Sequence, residues 1–510
     1  MLWRRILKNN YVLIFILSLF SISLRLPTWL TDSPSSDYLM FLFVGREIFS
    51  GKTLYLDVWD HKPPLIFYIN GLISWLSGNS VLLPQIWLLV WLAGEYLVFY
   101  FFLKRLFTQL GKSDPESNAR LSLLVYSLFR NQTIFINAIN TTENFGLIFL
   151  LGMYWLALEW LWQKSRKFLV LSGVCLSALV FLKPNFIILS LPILIEIAWP
   201  ILTELRLKRW TTIWVTIKQV LTNYVILLLP TLGQTLFWIW FFASRSALID
   251  FWNASFWFSF KYLSVLNPDY LGQFIYVLII VLNSLVIIPF SLVWLWFSIS
   301  HSLKNILLCQ NLRFIFWLGL SGWLFIAIFW YGLSYYFLIT FLPMTILLVT
   351  IKLPKKPCFS SLLLGILFAV FSITLLIFPF SYPNNYSETR DVQESSILQE
   401  VLSYLKPELA SEKQIYVLDR GAAIHYHTQT SSVSRYFSAH FLDIDNYANL
   451  GFQINQTVLR DLQTKKPKYI VINTKIWERQ LPVNSYIQTC YLNTKTIHYY
   501  QIWTIQNACL

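Results

Sequence analysis

Residues Tyr55–Tyr68 read YLDVWDHKPPLIFY. Asp57, Asp60, His61 and Lys62 stand directly before Pro63 and Pro64, and from Leu65 the chain is almost wholly apolar. Such a junction has two readings. Loops that flank membrane helices are polar, and nothing more need follow. Alternatively, charge gathered where an apolar segment begins forms the wall of a site at a membrane surface.

The composition decides the setting. Of 510 residues, 56% are hydrophobic, 18% aromatic and only 13% charged, against about 25% charged in soluble domains. This is a polytopic membrane protein before any motif is considered. The net charge of +14 does not mark a nucleic-acid binder, because Lys and Arg cluster between apolar runs, as the positive-inside rule produces. The opening MLWRRILKNN precedes an apolar run that ends at Arg25-Leu26-Pro27 without a small-residue cleavage site. It reads as a retained first helix with a cytoplasmic N-terminus. The five cysteines contain no CxxC pair. Cys490 and Cys509 share the C-terminal region, and spacing alone leaves open whether they pair.

Apolar runs near 11–27, 63–77, 81–103, 119–139, 142–162, 168–183, 185–201, 223–243, 273–299, 313–331, 333–351 and 361–380 give an expectation of about 11–13 transmembrane helices. Residues 1–383 form this membrane domain. From 384 to 510 the character is mixed and fits a small α/β domain. SSILQEVLSYLKPEL has helical spacing, while IYVLD (Ile415–Asp419), YIVIN (Tyr469–Asn473) and IHYYQIWTI (Ile497–Ile505) read as strands. His425 and His427 would share one side of a strand and read as surface residues. Basic clusters such as Arg4/Arg5/Lys8, Lys104/Arg105 and Lys164/Arg166/Lys167 all fall on one side if 63–77 lies along or dips into the membrane face. That arrangement has about eleven crossings and puts the C-terminal domain outside the cytoplasm. The outer loops 28–62 and 244–272, the turn at Thr141–Asn144, Lys183–Asn185 and Tyr331–Tyr336 then share a face. Ionisable groups at a membrane edge are costly and mark polar cavities.

The loop and helix SSDYLMFLFVGREIFSGKTLYLDVWDHKPPLIFYINGLISWLSG (Ser35–Gly78) resemble the opening of GT-C glycosyltransferases. The resemblance is to family 39, the polyprenyl-phosphate-sugar-dependent mannosyltransferases and the related aminoarabinose transferases. Asp37, Gly51, Tyr55, Asp60 and Lys62-Pro63-Pro64 follow that family's order. Glu143 in TTEN, LVFLKPN (Leu179–Asn185) and LSYYFLITFLPM (Leu333–Met344) are supporting matches. The last has Tyr335-Tyr336 where relatives often have His beside Tyr. HTQTSSVSRYF (His427–Phe437) is similar to the outer domains of some bacterial members.

The resemblance implies an integral membrane glycosyltransferase of the cell inner or plasma membrane. It would move a sugar from a polyprenyl-phosphate-linked donor to a hydroxyl of a lipid, glycan or protein on the outer face. A base within about 2.6–3.2 Å must accept the hydroxyl proton; Asp37 is the leading candidate and Asp60 the second. Lys62 and Lys183 suit the leaving phosphate. Glu143 joins the substrate site, and Tyr55, Trp59, Tyr335 and Tyr336 are candidates for stacking on sugar. Asp57 reads as a loop-building carboxylate and His61 as a hydrogen-bonded loop residue. No metal, cofactor or nucleic acid is expected. Two other classes remain: a transporter or flippase for a lipid-linked glycan, and an outer-face polymerase or ligase relying on Arg245. Transporters show internal repeats and midplane charge; here no repeat is evident and the charges gather at one face.

Overall fold

The computed structural model describes residues 9–23, 37–78, 80, 82–131, 140–258, 309–329, 388–409, 412–419, 421–438, 453–475 and 482–509. The apolar runs 273–299, 333–351 and 361–380 and the pair Tyr335–Tyr336 lie outside these residues. The chain divides into two compact units, one of Met1–Leu26, Leu88–Phe237 and Asp269–Tyr382, the other of Pro27–Trp87, Trp238–Pro268 and Pro383–Leu510.

The described residues of the first unit are mainly helical. Among the described residues, four helical segments are long and apolar enough to cross a membrane: Leu83–Gln109, Thr142–Gln163, Pro184–Arg206 and Trp210–Ala243. Trp214 and Val215 are more than 70% exposed on the last of these. Apolar surface on that scale fits contact with lipid. Several charged groups among the described residues of this unit are paired. Arg313 grips Glu196 through Nε and Nη2, both at 2.6 Å, and Arg105 Nε donates to Glu159 at 2.7 Å. Thr141 caps the helix Thr142–Gln163 by accepting the Asn144 amide at 3.3 Å. Pro184 stops the helix Arg166–Leu182 at Lys183, because the residue before a proline is driven out of the helical region.

The second unit begins with two helices of 13 residues, Asp37–Phe49 and Leu65–Ser77. Each is about 20 Å long, too short for a hydrocarbon core of about 30 Å. The expectation that 63–77 does not cross fully fits that length. The two helices approach at Gly45 and Gly71, where a Cβ on Gly45 would strike the Gly71 backbone. Backbone cannot yield as a side chain can. Gly45→Ala should therefore lower stability by about 1–3 kcal/mol, read as a fall in melting temperature of the purified protein in detergent. An unchanged melting temperature would mean that these helices separate freely.

The C-terminal part of this unit is the expected α/β domain. A helix, Glu388–Glu408, leads into a sheet of β1 (Gln414–Leu418), β2 (Ser431–Ser432), β3 (Tyr469–Asn473), β4 (Tyr491–Ile497) and β5 (Tyr500–Ile505). The order is β2-β1-β3-β5-β4, with β1 parallel to β2 and β3 and with β5 antiparallel to β3 and β4. Every residue of β3 is buried, as both-faced covering of a parallel strand requires. Residues 497–505 are not one strand. The chain reverses at His498, whose φ is +51°, to make the β4–β5 hairpin. Cys490 and Cys509 form a disulfide.

His425 and His427 also depart from expectation. They lie on the short helix Ala423–Thr428, and His425 is fully buried. Its ring stacks on Phe43 at 5.1 Å, and its Nδ1 is 3.3 Å from the Thr430 hydroxyl. Burial, with the charges of Arg46 and Lys52, pushes its pKa from 6.5 down to about 3. A histidine held neutral in the fold contributes its full stability above pH 6.5 and loses it as pH falls toward 3, at about 1.4 kcal/mol per pH unit. His425→Phe should thus lose less melting temperature than the parent protein between pH 6.5 and pH 4. Parallel melting curves for the two proteins across that range would contradict this.

Candidate active-site loop

The loop between the two short helices is built from internal bonds and from contacts to two distant segments. The helix Asp37–Phe49 is followed by Gly51, at φ +104°, a conformation that glycine adopts without strain. Buried Glu47 pairs with Lys52 at 2.6 Å and Arg46 at 3.2 Å. The Thr53 amide donates to Asp57 Oδ2 at 2.7 Å, so Asp57 builds the loop, as its sequence setting indicated. Tyr55, at φ +70°, donates its amide to Val58 O at 2.7 Å.

Tyr55 and Trp59 are both buried. The Tyr55 ring packs against Phe242 and Phe251. Its hydroxyl donates to Lys62 O at 2.8 Å and accepts from Ser255 at 2.9 Å. Burial pushes this phenol well above its ordinary pKa, which keeps it a donor. Trp59 lies against Phe258 and Tyr436, and its amide donates to Arg435 O at 3.0 Å. Among the described residues both rings are enclosed by these neighbours and so support the loop.

Asp60 is fully buried. Its Oδ1 accepts the Lys62 amide at 3.1 Å and lies 3.7 Å from Lys62 Nζ and 3.5 Å from His61 Nδ1. Its Oδ2 is buried with no hydrogen-bond partner among the described residues, which is costly for a carboxylate. The Lys62 ammonium stands over the Phe41 ring at 4.8 Å. Pro64 then opens the apolar helix Leu65–Ser77. Asp37 is the first residue of the helix Asp37–Phe49 and is half-buried.

In the first unit, Lys183 donates to Glu143 Oε1 at 2.6 Å, and Thr142 donates to Oε2 at 3.0 Å. Sequence reading named both members of this pair but not their pairing. It missed the buried groups behind them. Arg130 donates to Asn144, next to Glu143, and to Glu95 at 3.1 Å, while Tyr126 donates to Glu95 at 2.6 Å. A lone carboxylate in LAGEYLV was the available signal. Also missed was Arg435, which donates to Asp250 at 2.7 Å and to Tyr55 O at 3.4 Å. Among the described residues, no cluster of three or more His, Cys, Asp or Glu side chains could hold a metal ion.

The described geometry can be set beside known proteins. The chain superposes on the crystal structure of ArnT from Cupriavidus metallidurans bound to undecaprenyl phosphate with a TM-score of 0.62, at 11% identity, over 98% of each chain. On ArnT from the same organism in the apo state the TM-score is 0.58, at 12% identity, over 96% of this chain and 98% of that one. The chain has the ArnT fold. The likeness is one of fold, and it covers the C-terminal domain as well as the helices. Beyond ArnT, a "Dolichol phosphate-mannose mannosyltransferase" of Haloferax volcanii is 44% identical over 46 residues, which are 9% of this chain and 10% of that protein's length. Residues 395–506 match the family described as "Putative competence-induced protein Ccs4 C-terminal domain".

Proposed function

We propose that this protein is an integral membrane glycosyltransferase that takes a sugar from a polyprenyl-phosphate-linked donor and passes it to a hydroxyl acceptor on the outer membrane face. The observation that carries this is the junction at Asp60–Pro64, where a held ammonium stands at the mouth of an apolar helix in a chain of ArnT fold. A polyprenyl phosphate has the same polarity, with an anionic head and a long apolar tail. The undecaprenyl phosphate bound to ArnT supports this match.

In this reading the bond between the anomeric carbon and the donor phosphate oxygen breaks, and a bond to the acceptor oxygen forms. Asp37 accepts the acceptor's proton, and polyprenyl phosphate leaves with the bonding electrons. Partial exposure suits Asp37 to the role, since a general base must reach the proton it takes. Fully buried Asp60 is the less accessible candidate and serves to hold Lys62. Lys62 stabilises the leaving phosphate. Lys183, its ammonium aimed by Glu143, is kept as a further candidate for holding a phosphate.

Residues 1–383 act as the membrane domain and 384–510 as an extracytoplasmic one, with the N-terminus in the cytoplasm. Two features support this. The bond from Trp59 N to Arg435 O ties the 28–62 loop to the C-terminal domain, so both belong on one side. The Cys490–Cys509 disulfide fits an oxidising compartment. The test is mass spectrometry of envelope lipids and glycans from cells with and without the protein. One hexose-sized or pentose-sized unit should disappear on deletion and return with the parent protein but not with Asp37→Asn. Identical spectra would remove the proposal.

A further inference from the structure

The C-terminal domain sends one segment, Val433–Ser438, under the first loop. This segment is fixed on its own side by several bonds. Val433 N donates to Ile415 O at 3.2 Å, Tyr416 Oη donates to Tyr436 O at 3.3 Å, Ser434 Oγ donates to Asp461 at 2.8 Å and Ser438 Oγ donates to Asp419 O at 3.3 Å. From this support Arg435 reaches out. Its Nη1 bonds Asp250 at 2.7 Å and Tyr55 O at 3.4 Å, while its own carbonyl accepts the Trp59 amide. Tyr55 in turn donates its hydroxyl to Lys62 O. A second arginine works in the opposite direction. Arg46, from the helix Asp37–Phe49, donates to the carbonyls of His425, Tyr426 and Thr430 at 3.3, 3.3 and 2.7 Å. These carbonyls lie at and just beyond the end of the short helix Ala423–Thr428.

We infer that the C-terminal domain is a clamp that sets the conformation of the first loop, with Arg435 as the positioning residue for Asp60 and Lys62. Five of the loop residues between Thr53 and Lys62 are bonded in a chain that ends on Arg435, and the guanidinium joins the loop to the segment carrying Asp250 and Ser255. The domain therefore has a mechanical task that does not require a ligand of its own. The consequence for donor binding rests on the function proposed above; the clamp itself does not.

The test uses the full-length protein in detergent, as parent, Arg435→Met and Arg435→Lys. Hydrogen exchange is followed in peptides covering 52–62 and, as internal references, β1 and β3. Undecaprenyl phosphate binding is titrated in parallel. In Arg435→Met, exchange over 52–62 should quicken about tenfold or more with β1 and β3 unchanged, and affinity for undecaprenyl phosphate should fall. Arg435→Lys should be intermediate, because a lysine keeps the charge near Asp250 but lacks the planar fork. Unchanged exchange over 52–62 would overturn the clamp. So would an equal rise in β1 and β3, which would make Arg435 a residue of the domain's own fold. Faster loop exchange in a protein whose parent form binds no undecaprenyl phosphate would leave the clamp standing and remove the proposed function instead.

Discussion

Asp37→Asn is expected to cut sugar transfer by about 10²–10⁴-fold, the range that a general base supplies. The substitution keeps the side-chain size and hydrogen-bonding reach and removes only the ability to take a proton. Expression, melting temperature and affinity for undecaprenyl phosphate should stay near those of the parent. The contrast with Asp60→Asn carries the argument. Asp60 is fully buried, and its Oδ1 faces the Lys62 amide and ammonium. Its loss should weaken donor binding, whereas the loss of Asp37 should spare it. Measured as kcat and KM for the donor, Asp37→Asn falls in kcat and Asp60→Asn rises in KM. The reverse pattern would make Asp60 the base, and normal transfer by both variants would take catalysis out of this loop.

Lys62→Met is the second large effect. Hydrogen bonds to charged groups contribute about 1.5–3 kcal/mol, so affinity for undecaprenyl phosphate should drop about tenfold to a hundredfold. Removing the ammonium also leaves Asp60 buried without its cation. The Asp60→Asn/Lys62→Met double variant should therefore recover melting temperature lost by Lys62→Met while leaving affinity low. Recovery of both would mean that Lys62 matters only as a partner for Asp60. An unaltered affinity in the single variant would make Lys62 an anchor whose stem lies along apolar surface and whose charge stays in water.

How much of this was legible in the chain depends on the range of the interaction concerned. Helices such as Thr142–Gln163 announce themselves by length and apolar content. β3 is legible because YIVIN is β-branched and buried throughout. β4 is not, because Leu492–Thr496 is an exposed edge and exposed edges carry polar residues. The turn between β4 and β5 was hidden as well. His498 occupies a left-handed position that sequence rules assign to Gly or Asn, so IHYYQIWTI looked continuous. The histidine pair at 425 and 427 was assigned to a strand because a helix of six residues is too short to show a period. At the site, the residue types of YLDVWDHKPP could be read, since charge beside an apolar run is a local pattern. The partners could not. Glu143 meets Lys183 across 40 positions and Arg435 meets Asp250 across 185, and nothing local records either encounter. Tyr55 and Trp59 show the same limit from the other side. Aromatic character marks them for stacking on sugar or for packing, and the rings that enclose them come from distant segments.

The measurement that tests the central claim most directly is transfer by the purified protein reconstituted in vesicles. Undecaprenyl phosphates carrying different labelled sugars are supplied together with an envelope lipid and glycan extract as acceptor. The account predicts that one donor is consumed, that undecaprenyl phosphate and labelled acceptor appear in equal amounts, and that Asp37→Asn slows the appearance of both by about 10²–10⁴-fold. Movement of the labelled donor across the bilayer with its sugar–phosphate bond intact, and no labelled acceptor, would contradict the account and identify a transporter.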